Sequence, residues 1–248
     1  MTKPFDASGR YYELLYQEKD SAAEADYVDR LLCRHAIPGT SLLEFGSGTG
    51  RHGCLLAQRG YRVHGIDRSA AMVEAAQQVP GFSCQQGDIT TTRLSHNVDA
   101  VVALFHVLSY QTTNQAIQAT FANAAHHLDS GGLFLFDVWY SPAVASQRPE
   151  LRVKRLSRPE LAITRIAEPT IQANANRVDV HYTVLAQHTD TGVLDSFTET
   201  HPMRHFSLPE LDLLAEAAGF ERLTAEEWLT GAPPSEATWG VCFVLRKS

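Results

Sequence analysis

A glycine-rich segment after a predicted strand is the first feature whose residue types and spacing could do chemistry. The segment Leu42–Gly50 has the sequence LLEFGSGTG, with glycines at positions 46, 48 and 50. Glycines there let the backbone turn sharply and approach a ligand closely, and the helix that follows offers free N–H groups. Arg51 stands where a dinucleotide-binding fingerprint has its third glycine. We therefore expect Gly46, Gly48 and Gly50 to hold a ligand of another kind.

Acidic residues accompany the next predicted strands. Glu44, in the first strand, disfavours a pyrophosphate and is compatible with a cationic ligand such as an ammonium or a sulfonium. Asp67 ends the second strand, where a carboxylate can accept both ribose hydroxyls. Asp88 follows the third strand and can accept from an adenine amino group, with Met72 and Ile89 on the two sides of the ring. The alternatives are a solvated loop acid at Asp67 and a turn-forming Gly-Asp pair at Asp88.

Alternating strands and helices must position these residues. Helices are predicted over Arg51–Arg59, after Ser69, around Phe121, and before the first strand, where Ser21 and Glu24 would form a capping box. Strands that alternate with helices predict right-handed βαβ units and a mostly parallel, Rossmann-like α/β sheet. The predicted strands are Ser41–Phe45, Tyr61–Ile66, Phe82–Gln86, Val98–Leu104 and Leu133–Val138.

Beyond residue 140 the hydrophobic pattern changes to period two. Antiparallel strands are predicted over Leu161–Ala167, Val178–Ala186 and Val193–Phe206. A helix capped by Ser207 and Glu210 follows, and two last strands would close the sheet as a hairpin, with the final strand antiparallel. The predicted division is 1–40 as lid and first helix, 41–140 as cofactor-binding core, 141–206 as inserted antiparallel β subdomain, and 207–248 as last helix and hairpin.

Four of these segments together resemble the successive motifs of the class I S-adenosylmethionine-dependent methyltransferases. They are Leu42–Gly50, Asp67, the Gly87-Asp88 pair and Leu128–Phe136. The resemblance implies S-adenosylmethionine as cofactor, with the glycine turn near its methionine portion, Asp67 at the ribose and Asp88 at the adenine. The complete predicted cofactor-binding set is Tyr16, Glu44, Gly46, Gly48, Gly50, Arg51, Asp67, Arg68, Met72, Asp88, Ile89 and Leu104.

A narrower resemblance reaches beyond this core. Tyr11–Tyr16, Gly50–His52, Arg177–Tyr182 and His205–Ser207 are similar to segments of the N,N-dimethyltransferases of nucleotide-linked amino sugars. In those enzymes an antiparallel excursion before the last helix takes part in dimerisation and substrate placement. The resemblance implies a nucleotide-linked amino sugar as acceptor, and a homodimer. The segment Phe105–Tyr110 departs from it, because those enzymes carry small residues after the fourth strand.

A few side chains near the expected ligand edge are candidates for chemistry or acceptor binding. His106 follows the fourth strand and could serve as a general base near pH 7; the alternative is a packing histidine. Tyr12 lies in an N-terminal segment that could fold over the cofactor as a lid. Tyr110 could orient an acceptor or belong to the core. Trp139 and Tyr140, just beyond the fifth predicted strand, could form a wall of an acceptor pocket.

Composition excludes several other classes of function. The 248 residues carry a formal net charge of −7 and no Lys/Arg-rich run, which argues against nucleic acid as the main partner. The four cysteines form no CxxC pair, and Pro202 between His201 and His205 spoils the helical spacing of a metal-binding pair, so no metal is expected. An apolar run of membrane length is missing, and the expected location is the cytoplasm.

Three functional hypotheses remain open on the sequence. The first is an N- or O-methyltransferase of a small molecule, with amino-sugar or other glycosyl acceptors as the leading expectation. The second is a methyltransferase acting on another natural product, an amino acid or a protein side chain. The third is a protein that binds S-adenosylmethionine without catalysis. A nicotinamide oxidoreductase is disfavoured by Arg51 and Glu44.

Overall fold

The described residues of this computed structural model, 11–76 and 80–248, form two β-sheets flanked by helices. The strands are β1 Ser41–Phe45, β2 Arg62–Asp67, β3 Phe82–Gln86, β4 Val98–Ala103, β5 Leu128–Tyr140, β6 Arg152–Arg158, β7 Leu161–Gln172, β8 Arg177–His188, β9 Leu194–Phe206, β10 Phe220–Glu227 and β11 Gly240–Lys247. The helices are α1 Tyr12–Leu15, α2 Ser21–Arg34, α3 Arg51–Gln58, α4 Ala70–Ala75, α5 Asn114–His126, α6 Ser141–Gln147 and α7 Leu208–Ala217, with short 3₁₀ helices at Val107–Tyr110 and Ala173–Ala175.

The central sheet has the strand order β3-β2-β1-β4-β5-β11-β10. The first five strands are parallel, whereas β11 runs antiparallel to both β5 and β10. The direction of strand succession reverses between β1 and β4, which is where open α/β sheets bind ligands at the carboxyl ends of their strands. The predicted α/β fold with a mostly parallel sheet and an antiparallel last strand is confirmed.

Each face of the central sheet packs against its own layer of helices. Because side chains alternate along a strand, Phe134 and Phe136 of β5 face α5, and Phe121 of that helix lies 5.5 and 5.6 Å from their ring centroids. Leu133 and Leu135 point to the opposite face and pack in the cluster that contains α2. Each fully buried side chain of this size stabilises the fold by about 1.5–3 kcal/mol, so both layers hold the strand ends in place.

The second sheet is antiparallel, with the order β9-β8-β7-β6. It is continuous with the central sheet, because Trp139 and Tyr140 at the end of β5 pair with His205 and Phe206 at the end of β9. The predicted antiparallel insertion is confirmed. The first strand of the insertion, β6, and the short helix α6 were not predicted, since neither has a clear hydrophobic period.

Both predicted capping boxes are wrong. Asp20, not Ser21, caps α2, and its Oδ1 accepts from the backbone N–H three residues on at 2.9 Å. Ser207 stands at the N-cap of α7 but makes no side-chain cap hydrogen bond. Glu210 binds Arg204 at 2.6 Å instead, since a charge-assisted bond to a guanidinium is stronger than a neutral cap.

Element boundaries otherwise follow the sequence pattern closely. β1 and β3 have the predicted bounds, β2 is shifted by one residue at both ends, and β4 ends one residue earlier, which is the usual uncertainty of such limits. β5 is longer than predicted at both ends, because it begins at Leu128 and continues through Trp139 and Tyr140. Within the described residues, no helix combines the length and the apolar character needed to span a membrane.

Candidate functional site

A cleft lies at the carboxyl edge of the central sheet, where β1 to β4 end. Most of the predicted cofactor-binding residues come together there, joined by Tyr110 from the 3₁₀ helix. Of the predicted cofactor set, Glu44 and Gly50 are not among the described residues that line it. The predicted residues in the lining are Tyr16, Gly46, Gly48, Arg51, Asp67, Arg68, Met72, Asp88, Ile89, Leu104 and Tyr110.

The glycine turn needs its glycines for different reasons. Gly46, Gly48 and Gly50 all have positive φ, at 68°, 55° and 78°, which is the left-handed region that glycine adopts at no steric cost. A Cβ at Gly46 would lie 2.5 Å from Val107, and one at Gly50 would lie 2.6 Å from Phe82. A Cβ at Gly48 would meet nothing within 4 Å. Gly46 and Gly50 therefore allow close packing, whereas Gly48 leaves open space in the cleft.

Asp67 is fixed by backbone donors at the end of β2. Its two carboxylate oxygens accept from the N–H groups of Gly48 and Ser69, each at 2.8 Å. Burial raises the pKa of Asp67, and these hydrogen bonds oppose that shift. Each carboxylate oxygen has a further lone pair, so the group can still accept from hydroxyls in the cleft.

Asp88 is held in a similar way after β3. Its Oδ1 accepts from the N–H of Thr90 at 2.8 Å and from the hydroxyl of Thr90 at 2.6 Å. Burial alone would raise the pKa of Asp88, but the hydrogen bonds from Thr90 hold it below its usual value. The carboxylate is therefore an anionic acceptor, and the buried side chains of Met72 and Ile89 line the same cleft.

Glu44, predicted as an anion beside a cationic ligand, is not among the described residues that line the cleft. Its side chain is directed toward α3, where a Cβ at Gly53 would lie 2.6 Å from Oε2. Burial raises the pKa of Glu44 to about 8, and the nearby Asp67 adds to the shift. The carboxyl is therefore mainly uncharged at neutral pH.

A charged cluster in the cleft was missed by the sequence analysis. Lys19 Nζ lies 2.8 Å from Glu24 Oε2 and 3.6 Å from the centroid of the Phe105 ring. His52 Nε2 approaches the same Glu24 oxygen at 2.7 Å. Lys19, His52 and Arg51 all line the cleft. Burial lowers the pKa of His52, so the cationic groups at this end are Lys19, which is paired with Glu24, and Arg51. The available signal was weak: a lysine directly before the capping aspartate of α2.

His106 lies beside the cleft and does not belong to its lining among the described residues. Phe105 and His106 both have left-handed backbones, with φ of 66° and 62°, and Phe105 lines the cleft. His106 Nδ1 lies 2.6 Å from the carboxylate of buried Asp137, whose oxygens also accept from the His106 backbone N–H. The structure therefore brings His106 to Asp137 rather than to the predicted cofactor residues.

The aromatic residues predicted to form an acceptor wall belong to β5. Tyr140 is buried in the hydrophobic core, and Trp139 packs at 6.2 Å from the ring of His106 and 6.1 Å from that of Trp239. Neither is in the lining of the cleft, because the strand continues past the point where it was predicted to end. The side chain of Tyr12 lies outside the described residues.

Tyr110 connects the cleft to the second sheet. Its hydroxyl lies 2.9 Å from Nδ1 of His201 on β9. His201 Nε2 in turn lies 3.3 Å from Oε2 of Glu199. The ring of Tyr182 on β8 stands edge-on to His201, with centroids 5.0 Å apart. Sequence reasoning discarded His201 as a metal ligand and did not consider this role.

A second connection runs through Tyr16. Arg165 on β7 places its guanidinium 5.6 Å from the ring centroid of Tyr16 and 5.0 Å from that of Tyr182. Its Nη1 donates to the Tyr16 hydroxyl at 3.4 Å. Tyr16 also meets Phe105 edge-to-face, with centroids 5.2 Å apart. The cleft is thus lined by strand-end loops, and through Tyr16 and Tyr110 it adjoins one face of the antiparallel sheet.

Known proteins share this architecture. Residues 42–132 match the methyltransferase domain family. The chain is 28% identical over 235 residues to dTDP-3-amino-3,4,6-trideoxy-alpha-D-glucopyranose N,N-dimethyltransferase of Streptomyces venezuelae, covering 90% of this chain and 92% of that one. It is 29% identical over 225 residues to dTDP-4-amino-2,3,4,6-tetradeoxy-D-glucose N,N-dimethyltransferase of Saccharopolyspora spinosa, covering 87% and 83%.

A solved structure extends the likeness to the whole fold. An amino pentose methyltransferase from Micromonospora echinaspora, determined with S-adenosylmethionine bound, superposes with a TM-score of 0.77 at 24% identity and covers 100% of this chain and 98% of that one. The glycine turn, Asp67 and Asp88 stand at the strand ends of this same fold. Residues 42–132 therefore form a methyltransferase domain, and the whole chain has the fold of S-adenosylmethionine-dependent methyltransferases.

Proposed function

We propose that the protein methylates the amine nitrogen of a nucleotide-linked amino sugar. The observation that carries the proposal is the continuity between the cofactor cleft and the face of the second sheet. Tyr16 and Tyr110 line the cleft and also contact Arg165 and His201 of that sheet. Two relatives that cover 90% and 87% of this chain are named as N,N-dimethyltransferases of dTDP-linked amino sugars, which supports the same acceptor class.

The cleft fits S-adenosylmethionine in its chemistry. Open space at Gly48, next to an acceptor carboxylate on Asp67, suits a ribose, and Asp88 suits an adenine amino group. Lys19 and Arg51 would pair with the cofactor's carboxylate. When bound, the cofactor supplies a methyl group on a sulfonium, which departs as a neutral thioether.

The residues of this chain would align the acceptor and exclude water. The rings of Tyr16 and Phe105, packed edge-to-face, close one side of the cleft. Aromatic rings favour a nearby cation, and a dry cleft prevents competing reactions with water. We therefore assign to these two rings the wall next to the reacting groups. The proposal needs no metal and no covalent intermediate on the protein.

Arg165 is the residue we assign to the nucleotide's phosphates. Its guanidinium stands against Tyr16 and Tyr182, and its Nε is buried without a hydrogen-bond partner among the described residues. A guanidinium binds phosphate oxygens through paired donors. With the phosphates at Arg165 on the second sheet, we assign the acceptor nitrogen to the part of the cleft next to Tyr110.

Mass spectrometry of the reaction products tests the proposal. Purified protein is incubated with S-adenosylmethionine and either a dTDP-linked amino sugar or the same sugar with a hydroxyl in place of the amine. We expect the mass of one or two methyl groups to be added to the amino sugar only. Calorimetry with S-adenosylmethionine and S-adenosylhomocysteine provides the control for a folded cofactor site. Cofactor binding without methylation of any amino sugar would contradict the proposal.

Three further expectations belong to this proposal. A net charge of −7 supports a small-molecule partner rather than nucleic acid. Exposed apolar side chains on the second sheet support a homodimer through that sheet. They are Leu151 and Val153 at the edge strand β6, and Val193 and Leu194 near the β8–β9 turn. Light scattering that gives the mass of one chain would contradict the dimer. The cytoplasmic location remains a prediction.

A further inference from the structure

Three side chains, one from the 3₁₀ helix Val107–Tyr110 and two from strand β9, form a hydrogen-bonded line that begins at the cleft. Tyr110 lines the cleft, and its hydroxyl lies 2.9 Å from Nδ1 of His201. Nε2 of His201 lies 3.3 Å from the carboxylate of Glu199. The exposed fractions of the His201 and Glu199 side chains are 5% and 1%. A buried carboxylate and imidazole are costly unless paired, and here His201 lies between the Glu199 carboxylate and the Tyr110 hydroxyl.

The surroundings of His201 are mainly apolar. It packs against the cluster that includes Val180 of β8 and Met203 of β9. The titratable groups that contact it in the part of the chain that the structure describes include Tyr110 from the 3₁₀ helix, Glu199 on its own strand and Tyr182 on β8. Arg165 on β7 stands behind Tyr182. Burial raises the pKa of Tyr182 to about 12, so this tyrosine stays neutral.

The acceptor of the proposed reaction needs a group that takes a proton. A sugar amine is an ammonium at neutral pH, and an ammonium has no lone pair for attack on a methyl group. We propose that His201 is the proton acceptor of the reaction, reached through the Tyr110 hydroxyl, and that Glu199 is its positioning residue. This inference rests on the proposed function, because it requires an amine acceptor.

The proton transfer balances without any other reagent. The ammonium gives one proton to the Tyr110 oxygen while the tyrosine's own proton moves to Nδ1 of His201. Nε2–H of His201 donates to Glu199, which fixes the tautomer and stabilises the imidazolium that forms. The tyrosine is unchanged, the ammonium becomes an amine, and the imidazole becomes an imidazolium. The amine lone pair then forms the C–N bond as the S–C bond breaks, and His201 loses its proton to water after product release.

The test is the pH profile of methyl transfer in His201→Gln, with Tyr110→Phe as a second variant that keeps the ring. General acid–base catalysis contributes about 10²–10⁴-fold, so we expect kcat at pH 7 to fall by about 100-fold or more in both variants. The KM for S-adenosylmethionine should not change. The variants' activity should rise with pH about tenfold per unit, because only acceptor already deprotonated in solution can react, whereas the wild type should be flatter above pH 7.

The Glu199→Gln variant tests whether Glu199 positions His201 through its charge or only packs against it. The amide keeps the shape and a hydrogen-bond acceptor but removes the charge. We therefore expect a smaller loss of kcat than in His201→Gln, and the acidic limb of the curve of kcat against pH should move to lower pH. Thr198→Ser is the matched control on the same strand and should leave the profile unchanged.

A readout independent of turnover uses nitrogen NMR of labelled histidine with S-adenosylhomocysteine bound. Adding the amino sugar should move His201 toward the imidazolium form in the wild type and not in Tyr110→Phe. Wild-type protein that methylates an amino sugar, together with a His201→Gln variant of unchanged kcat and pH profile, would overturn this inference and leave the proposed function intact. Wild-type protein that methylates no amino sugar would overturn both.

Discussion

The two walls of the cleft are built in opposite ways. The cofactor wall consists of strand-end loops in which backbone groups position the binding residues. For example, the N–H groups of Gly48 and Ser69 donate to the carboxylate of Asp67. The side that we propose for the acceptor, the acceptor wall, adjoins the second sheet, where the side chains of Arg165 and His201 contact Tyr16 and Tyr110 of the cleft lining. Binding through backbone groups suits S-adenosylmethionine, which is the same molecule in every enzyme that uses it. Binding through side chains suits the methyl acceptor, which differs between enzymes.

The largest expected effect concerns stability at the cofactor wall. Because the pKa of Glu44 is raised to about 8, the folded protein keeps a proton that the unfolded chain loses above the usual value of 4.5. The stability that this carboxyl contributes is therefore fully present below pH 4.5 and is lost as the pH rises through about 8. We expect the unfolding free energy of the wild type to fall relative to that of Glu44→Gln by about 1.4 kcal/mol per pH unit between pH 5 and 8.

Urea unfolding at several pH values measures this difference, with exposed Glu160→Gln as the control. Parallel curves for the wild type and Glu44→Gln would mean that Glu44 is ionised in the folded protein, and the anionic interpretation made from the sequence would return.

The next effect separates the two walls by ligand. Asp67→Ala removes the acceptor assigned to the ribose, and a hydrogen bond to a charged group is worth about 1.5–3 kcal/mol. We expect the Kd for S-adenosylmethionine to rise by about 100-fold in calorimetry. Asp190→Ala, in the exposed β8–β9 turn, should bind as the wild type does. Unchanged cofactor affinity in Asp67→Ala would remove the ribose assignment.

The corresponding change on the acceptor wall is Arg165→Ala. Losing the paired donors to a phosphate should raise the KM for the dTDP-linked sugar by about 10- to 100-fold, with the Kd for S-adenosylmethionine within about threefold of the wild type. Arg158→Ala, on the exposed end of β6, is the matched control in steady-state kinetics. A defect in cofactor binding rather than in sugar binding would contradict the division of the cleft into two walls.

The smallest effect on turnover is expected for His106→Asn. Asparagine tolerates the left-handed backbone at this position, and His106 does not line the cleft. We expect kcat within about threefold of the wild type and a loss of stability of about 1–3 kcal/mol, because buried Asp137 loses a partner. A 100-fold loss of kcat would support His106 as the general base and would contradict the role proposed for His201.

This contrast also explains what the sequence allowed us to predict. Strand ends are visible as apolar runs, and glycines and acids directly after them pointed to the residues of the cofactor wall. The sequence did not show that the Glu44 side chain lies outside the cleft lining, because that depends on how α3 packs against the strand. The acceptor wall joins residue 110 to residue 201 and residue 16 to residue 165, and pairing between distant segments leaves no local pattern. The extension of β5 through Trp139 depends on its pairing with β9, and this pairing also leaves no local pattern in the sequence.

The most direct test of the central claim is the position of the transferred methyl group. Wild-type protein is incubated with S-adenosylmethionine labelled with carbon-13 at the methyl and with a dTDP-linked amino sugar, and the product is examined by NMR. The account predicts that the labelled carbon is bonded to the amine nitrogen. A labelled carbon on a sugar hydroxyl, or no labelled sugar from protein that binds the cofactor, would contradict it.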